Sequence, residues 1–148
     1  MLNDVKAFAE KFQCFTNPAP GFLPDDQMKN RLDFQMEELL ESAHAAGFFF
    51  NSDKMEFRRM HVDAGRNLAE VLDGLIDQTY VALGTAVAMG FAGGQVRGCA
   101  DGIEVTKPIF LLGWDRVHAA NMQKELVPGQ WKIQKPAGWK RPELGDLV

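Results

Sequence analysis

Read as a pattern of apolar and polar positions, the chain alternates between helical periods and stretches that interrupt them. Val5, Phe8, Ala9 and Phe12 recur at spacings of three and four, so they share one face of a short amphipathic helix that Asn3 can cap and that ends around Gln13. Asn17-Pro18-Ala19-Pro20-Gly21 and Pro24 cannot extend it, because proline lacks an amide donor and restricts the residue before it. A loop is expected there. Asp25 or Asp26 can cap the next helix, whose stripe of Met28, Leu32, Met36, Leu39, Leu40 and Ala43 runs to about Ala46 before Gly47 closes it. Phe48-Phe49-Phe50 ahead of Asn51-Ser52-Asp53 reads as a packed turn or as the edge of a partner interface. From Asp53 to Asp63 charged and apolar residues alternate. Asn67 to Met89 is then expected as the central helix, acidic on one face in its first half and rich in Ala and Gly in its second. Glycines 90, 93, 94 and 98 open a loop, and β-like fragments flank the Asp101-Gly102 turn signal, room for a small hairpin around 94–110. Trp114 to Lys124 has helical character, and the segment from Pro128 reads as an extended strap.

A chain of 148 residues, 46% of them hydrophobic, is the size of one domain with a core of its own, residues 1–148, of which 128–148 form the strap. The formal charge of −4 argues against a basic nucleic-acid-binding surface, and an acidic protein that handles phosphates needs cations to mediate. Cys14 and Cys99 form no Cys-x-x-Cys pair, so neither a disulfide framework nor a zinc site is expected. The start of the chain, with Asp4, Lys6 and Glu10, lacks the apolar region of a signal peptide, and the apolar run from Thr79 to Gly93 is too short to span a membrane. A cytoplasmic location without membrane attachment follows as the expectation.

The candidate chemistry lies in two acidic stripes. Glu38 and Glu41 are one turn apart with Glu37 beside them, which leaves Leu39, Leu40 and Ala43 to face a core. Glu70, Asp73 and Asp77 recur at spacings of three and four in a segment whose remaining circumference is apolar. Each stripe alone also fits a solvated face. Two such stripes on packed helices would repel unless a cation compensated, and Mg²⁺ is the natural one. Asn121 and Lys124 share a helical face and could meet phosphate oxygens, although an exposed helix end fits the same spacing. His44, His61 and His118 have no metal-ligand spacing among themselves, and the glycines at 90–98 match no phosphate-binding fingerprint. Phe12, Phe15, Trp114, Trp131 and Trp139 could stack on a base or serve the core and strap.

Glu38-x-x-Glu41 followed by Glu70-x-x-Asp73 resembles the paired signature of the all-α nucleoside triphosphate pyrophosphohydrolases, the superfamily of MazG-like, dimeric dUTPase and phosphoribosyl-ATP pyrophosphohydrolase proteins. Asp73-Gly74-Leu75-Ile76-Asp77, Tyr80-Val81, Gly84-Thr85-Ala86, Val117-His118 and Lys135-Pro136-x-Gly138-Trp139 extend the likeness, which is greatest to single-domain bacterial and phage members. The resemblance implies an all-α, MazG-like bundle completed by oligomerisation as a dimer or tetramer. It also implies hydrolysis of a nucleoside triphosphate between its α and β phosphates. By position, Glu38, Glu41, Glu70 and Asp73 would hold Mg²⁺, or Mn²⁺ in its place. Asp77 would be an additional ligand or outer acid, Glu37 the base, and Asn121 and Lys124 substrate contacts. A purine deoxynucleotide such as dGTP is the expected substrate. Its products would appear in the cytoplasm, the host's for a phage-encoded chain. A phosphoribosyl-ATP pyrophosphohydrolase is the enzymatic alternative, and a non-catalytic oligomer binding nucleotide or a partner through Phe48 to Phe50 the other. The segment from Ala92 to Gly113 departs from the family pattern.

Overall fold

The computed structural model describes residues 1–60, 65–93, 95–100, 103–126 and 133–148. His61, Gly94, the Asp101-Gly102 turn signal and Trp131 lie outside them. The fold is mostly helical, with α1 (Leu2–Lys11), α2 (Asp25–Ala45), α3 (Leu68–Ala88) and α4 (Ile109–Asn121). Among the described residues two separate antiparallel hairpins accompany the helices, β1 (Phe48–Asn51) with β2 (Glu56–Arg59), and β3 (Gln95–Ala100) with β4 (Ile103–Pro108). No helix among the described residues is long and apolar enough to cross a membrane. Contacts divide the chain into two compact units, one of Met1–Asn17 with Phe22–Met89, the other of Pro18–Gly21 with Gly90–Val148.

In the first unit, α1 begins with Met1 at the cap position rather than Asn3, which lies inside the helix. Leu2, Val5 and Ala9 are its buried stripe. Its end is a Schellman turn: Gln13 takes a left-handed φ of 52°, its amide donates to the Glu10 carbonyl at 3.2 Å, and the Cys14 amide donates to Ala9 at 2.9 Å. Pro24 rather than an aspartate occupies the cap of α2, and Asp25 and Asp26 lie in the first turn, where their charge complements the helix dipole. Gly47, at φ 86°, ends α2 as expected, and its amide reaches the His44 carbonyl at 2.8 Å.

Phe48-Phe49-Phe50 is a strand, not a turn. Phe50 pairs with Phe57 across the hairpin, their ring centres 5.2 Å apart, while Phe49 is exposed. A strand this short is too brief to reveal an alternating period, and only pairing with β2 identifies it. The turn itself falls at residues 52–55, where Asn51 accepts from the Lys54 amide at 3.1 Å.

Helices α2 and α3 run antiparallel along a continuous seam. Gln35 donates to Thr85 at 3.2 Å, Gln78 to Ser42 at 2.6 Å, and Gly74 faces Ser42 further along. On its other side α3 meets α1, with Tyr80 edge-on to Phe8 at 5.6 Å between ring centres. The buried core is built from small and medium residues, among them Val5, Leu23, Ala45, Ala86 and Val87. Several residues of the apolar stripes expected to be buried are exposed. Leu39 and Leu40 are partly exposed, and Leu68 and Leu72 are 82% and 59% exposed. Periodicity identifies an apolar face but not what covers it.

In the second unit, Gly90 takes φ 85° against Ala19, where a Cβ would lie 2.3 Å from the Ala19 carbonyl oxygen. The β3–β4 register runs from Gln95↔Pro108 to Ala100↔Ile103, within the segment expected to form a hairpin. Helix α4 starts at Ile109 instead of near Trp114 because Pro108 provides an extended cap and the apolar run Ile109-Phe110-Leu111-Leu112 has no period that separates helix from strand. The C-terminal segment packs along α4. Trp139 Nε1 donates to the Ala120 carbonyl at 2.8 Å, Arg116 engages both Asp146 oxygens and the Glu143 carbonyl, and Leu147 is buried.

Candidate metal centre

The acids are placed by the way α3 starts and the way α2 lies against it. The Asn67 side chain accepts from the amides of Ala69 at 3.0 Å and Glu70 at 3.4 Å, so the helix begins with Glu70 in its first turn and Asp73 and Asp77 follow on one face. Across the seam, Gly74 lets α2 approach so closely that a Cβ there would sit 2.7 Å from Ser42 Cβ. Gln78 secures that approach by donating to Ser42 Oγ at 2.6 Å, to the Gly74 carbonyl at 3.2 Å and to the Glu38 carbonyl at 3.5 Å. Gly74, Ser42 and Gln78 were not among the site residues that the acid pattern picks out. The signal for them is the glycine inside a strong helical period, which marks a close approach.

The result is a cleft of about 450 Å³ lined by Leu40, Glu41, His44, Ala45, Glu70, Asp73, Gly74 and Asp77. Four of the expected ligands therefore share one cavity. Glu38, half-buried, is held beside them: removal from water, and then the negative charges of Asp77, Glu41, Glu37 and Asp73, push its carboxyl above the ordinary glutamate range. Glu37 is exposed and contributes to that field without lining the cleft. His44 joins the wall because it falls one turn beyond Glu41. Asn121 and Lys124 belong to the second unit, where Asn121 is the exposed last residue of α4 and the Lys124 ammonium lies 5.9 Å from the centre of the Trp139 ring. His118, also on α4, is exposed.

The donor set fits a hard divalent cation. Its donors are carboxylate oxygens from two helices, and among the described residues no Lys or Arg lines the cleft to neutralise them. Among the described residues, no three His, Cys, Asp or Glu side chains are already drawn together as a ligand set. An arrangement of this kind can gather around a cation, carry a phosphate-bearing ligand through it, and accept a proton at an adjacent carboxylate. Comparison of the chain with protein-family models and with curated proteins finds no match.

Proposed function

We propose that the protein is a metal-dependent nucleoside triphosphate pyrophosphohydrolase of the MazG-like type. The observation that carries this reading is the convergence of Glu38, Glu41, Asp73 and Asp77 across the α2–α3 seam, where removal from water and the neighbouring negative charges push the Glu38 carboxyl above the ordinary glutamate range. Glu38, Glu41, Glu70 and Asp73 would hold Mg²⁺, with Asp77 as a further ligand. When bound, the ion neutralises phosphate charge and acidifies a water. Glu37, exposed at the edge of the cluster, takes the proton as water adds across the anhydride between the α and β phosphates. The products are a nucleoside monophosphate and pyrophosphate. The apolar residues left exposed on α2 and α3 support a homo-oligomer that covers them.

The test is a panel of ribo- and deoxynucleoside triphosphates, phosphoribosyl-ATP included, incubated with Mg²⁺ or Mn²⁺. Pyrophosphate should be released, and fastest from a purine deoxynucleotide such as dGTP. Glu38→Gln should lose at least two orders of magnitude of that rate. Release of orthophosphate and a diphosphate, or turnover of no member of the panel, overturns the reading. A sedimentation profile showing only monomer at micromolar concentration overturns the oligomer.

A further inference from the structure

A second cavity lies where α1 and the loop after it meet α3, with Arg31 of α2 in its wall, and its chemistry differs from that of the acidic cleft. It encloses about 200 Å³ among Phe8, Phe15, Tyr80, Val81, Gly84 and Arg31. Gly84 makes room for the guanidinium, since a Cβ there would sit 3.3 Å from Arg31 Nη1. Among the described residues Arg31, although half-buried, forms no ion pair and donates no hydrogen bond. A guanidinium fork with unused donors beside aromatic walls suits a flat ring whose edge carries two adjacent acceptors. The volume is below the 300–1,000 Å³ of sites that enclose a whole drug-sized ligand, so it takes one ring system and leaves any substituent outside.

The direction of that substituent follows from residue spacing along α2 and α3. Arg31 precedes Glu38 by seven residues on α2, and Gly84 follows Asp77 by seven on α3. Seven residues are nearly two turns and about 10 Å of rise, so the pocket and the acids share one face at a spacing that a ribose and its 5′-phosphates can bridge. We infer that this pocket binds the base of the nucleotide and that Arg31 reads the O6 and N7 acceptors of guanine. Arginine forms this bidentate contact with guanine, whereas adenine offers a donor in place of O6. The inference rests on reading the acidic cleft as the triphosphate end.

Equilibrium binding of guanosine, adenosine and cytidine in EDTA tests it without phosphate, metal or turnover. Wild type should prefer guanosine, and Arg31→Gln should weaken guanosine roughly tenfold or more while leaving the other two within about twofold. Arg31→Lys, which keeps the charge and loses the fork, should lose the preference as well, and its unchanged far-UV circular dichroism would establish that it folds. Gly84→Ala, which crowds the guanidinium on a helix that alanine favours, should weaken guanosine in the same sense. Equal weakening of all three nucleosides by Arg31→Gln, or no guanosine preference in wild type, overturns the inference. Guanosine binding that responds to Arg31 in a protein that hydrolyses no triphosphate would sink the pyrophosphohydrolase reading and leave the base pocket standing. Hydrolysis with unchanged base preference in Arg31→Gln would do the opposite.

Discussion

Gly74→Ala puts the α2–α3 approach, on which the acidic cleft depends, to a quantitative test. Alanine is the better helix former by about 0.8–1.0 kcal/mol, so at an open helix position the substitution would stabilise the protein. Here the new methyl would meet Ser42 Cβ at 2.7 Å, Ser42 Cα at 3.2 Å and Ser42 N at 3.3 Å. Ordinary carbon contacts lie at about 3.5–4.0 Å, so the helices must separate locally by something near 1 Å. Overpacking of this kind costs about 1–3 kcal/mol. The same displacement stretches the 2.6 Å hydrogen bond from Gln78 to Ser42, worth about 0.5–1.5 kcal/mol more. Set against the gain in helix propensity, the net is a loss of about 1–3 kcal/mol, or several degrees in Tm for a chain of this size. Urea unfolding followed by circular dichroism, with both proteins at one concentration so that association contributes equally, measures it. Ser42→Gly in the Gly74→Ala background removes the nearest atom of the clash and should recover part of the loss. A Gly74→Ala protein more stable than wild type by the propensity difference would refute the close approach and, with it, the placement of Asp73 and Asp77 opposite Glu38 and Glu41.

The remaining expectations concern charge and two local anchors. Because the Glu38 carboxyl is pushed above its ordinary range in the folded chain, the folded state holds its proton more tightly than the unfolded state. The resulting stability is complete below the ordinary glutamate pKa and is lost as pH rises through the raised value. In EDTA, Glu38→Gln should therefore be more stable than wild type at neutral pH, with the advantage shrinking as pH falls toward 4 and with added NaCl; urea midpoints that keep a constant offset across pH would contradict this. Gly90→Ala combines a left-handed φ of 85° with a contact of 2.3 Å to the Ala19 carbonyl oxygen, and should cost roughly 2 kcal/mol or more by thermal unfolding. Retained stability would mean that Ala19 does not pack there. Trp139→Phe keeps an aromatic ring but deletes the 2.8 Å bond to the Ala120 carbonyl, and should cost about 0.5–1.5 kcal/mol in the same measurement. An unchanged midpoint would show that the C-terminal segment is not held by that bond.

Much of the local structure could be read from the chain because its causes are local. The limits of α3 follow from Asn67, whose short side chain caps the first amides, and the end of α2 follows from Gly47, which tolerates a left-handed φ. The two acidic stripes follow from residue spacing alone, since 100° per residue places Glu38 beside Glu41 and Asp73 beside Glu70 and Asp77. The β1–β2 hairpin was not legible, because a run of phenylalanines has the same composition in a strand, a turn or an interface. The start of α4 was missed for a similar reason, as Ile109 to Leu112 is apolar without a period.

What the sequence determined by itself was therefore which faces exist: an acidic face on each of two helices, apolar stripes around them, and a glycine at the centre of one. Tertiary structure decided how those faces meet. It set Gly74 against Ser42, raised the Glu38 carboxyl by drawing it from water and bringing Asp77 near, and left Arg31 beside Tyr80 and Gly84 without a partner among the described residues. It also left the outer apolar residues of α2 and α3 in solvent. Periodicity along one helix is fixed by backbone geometry, whereas the distance between residues seven turns or a whole loop apart depends on how two helices pack, and no single stretch of sequence carries that information.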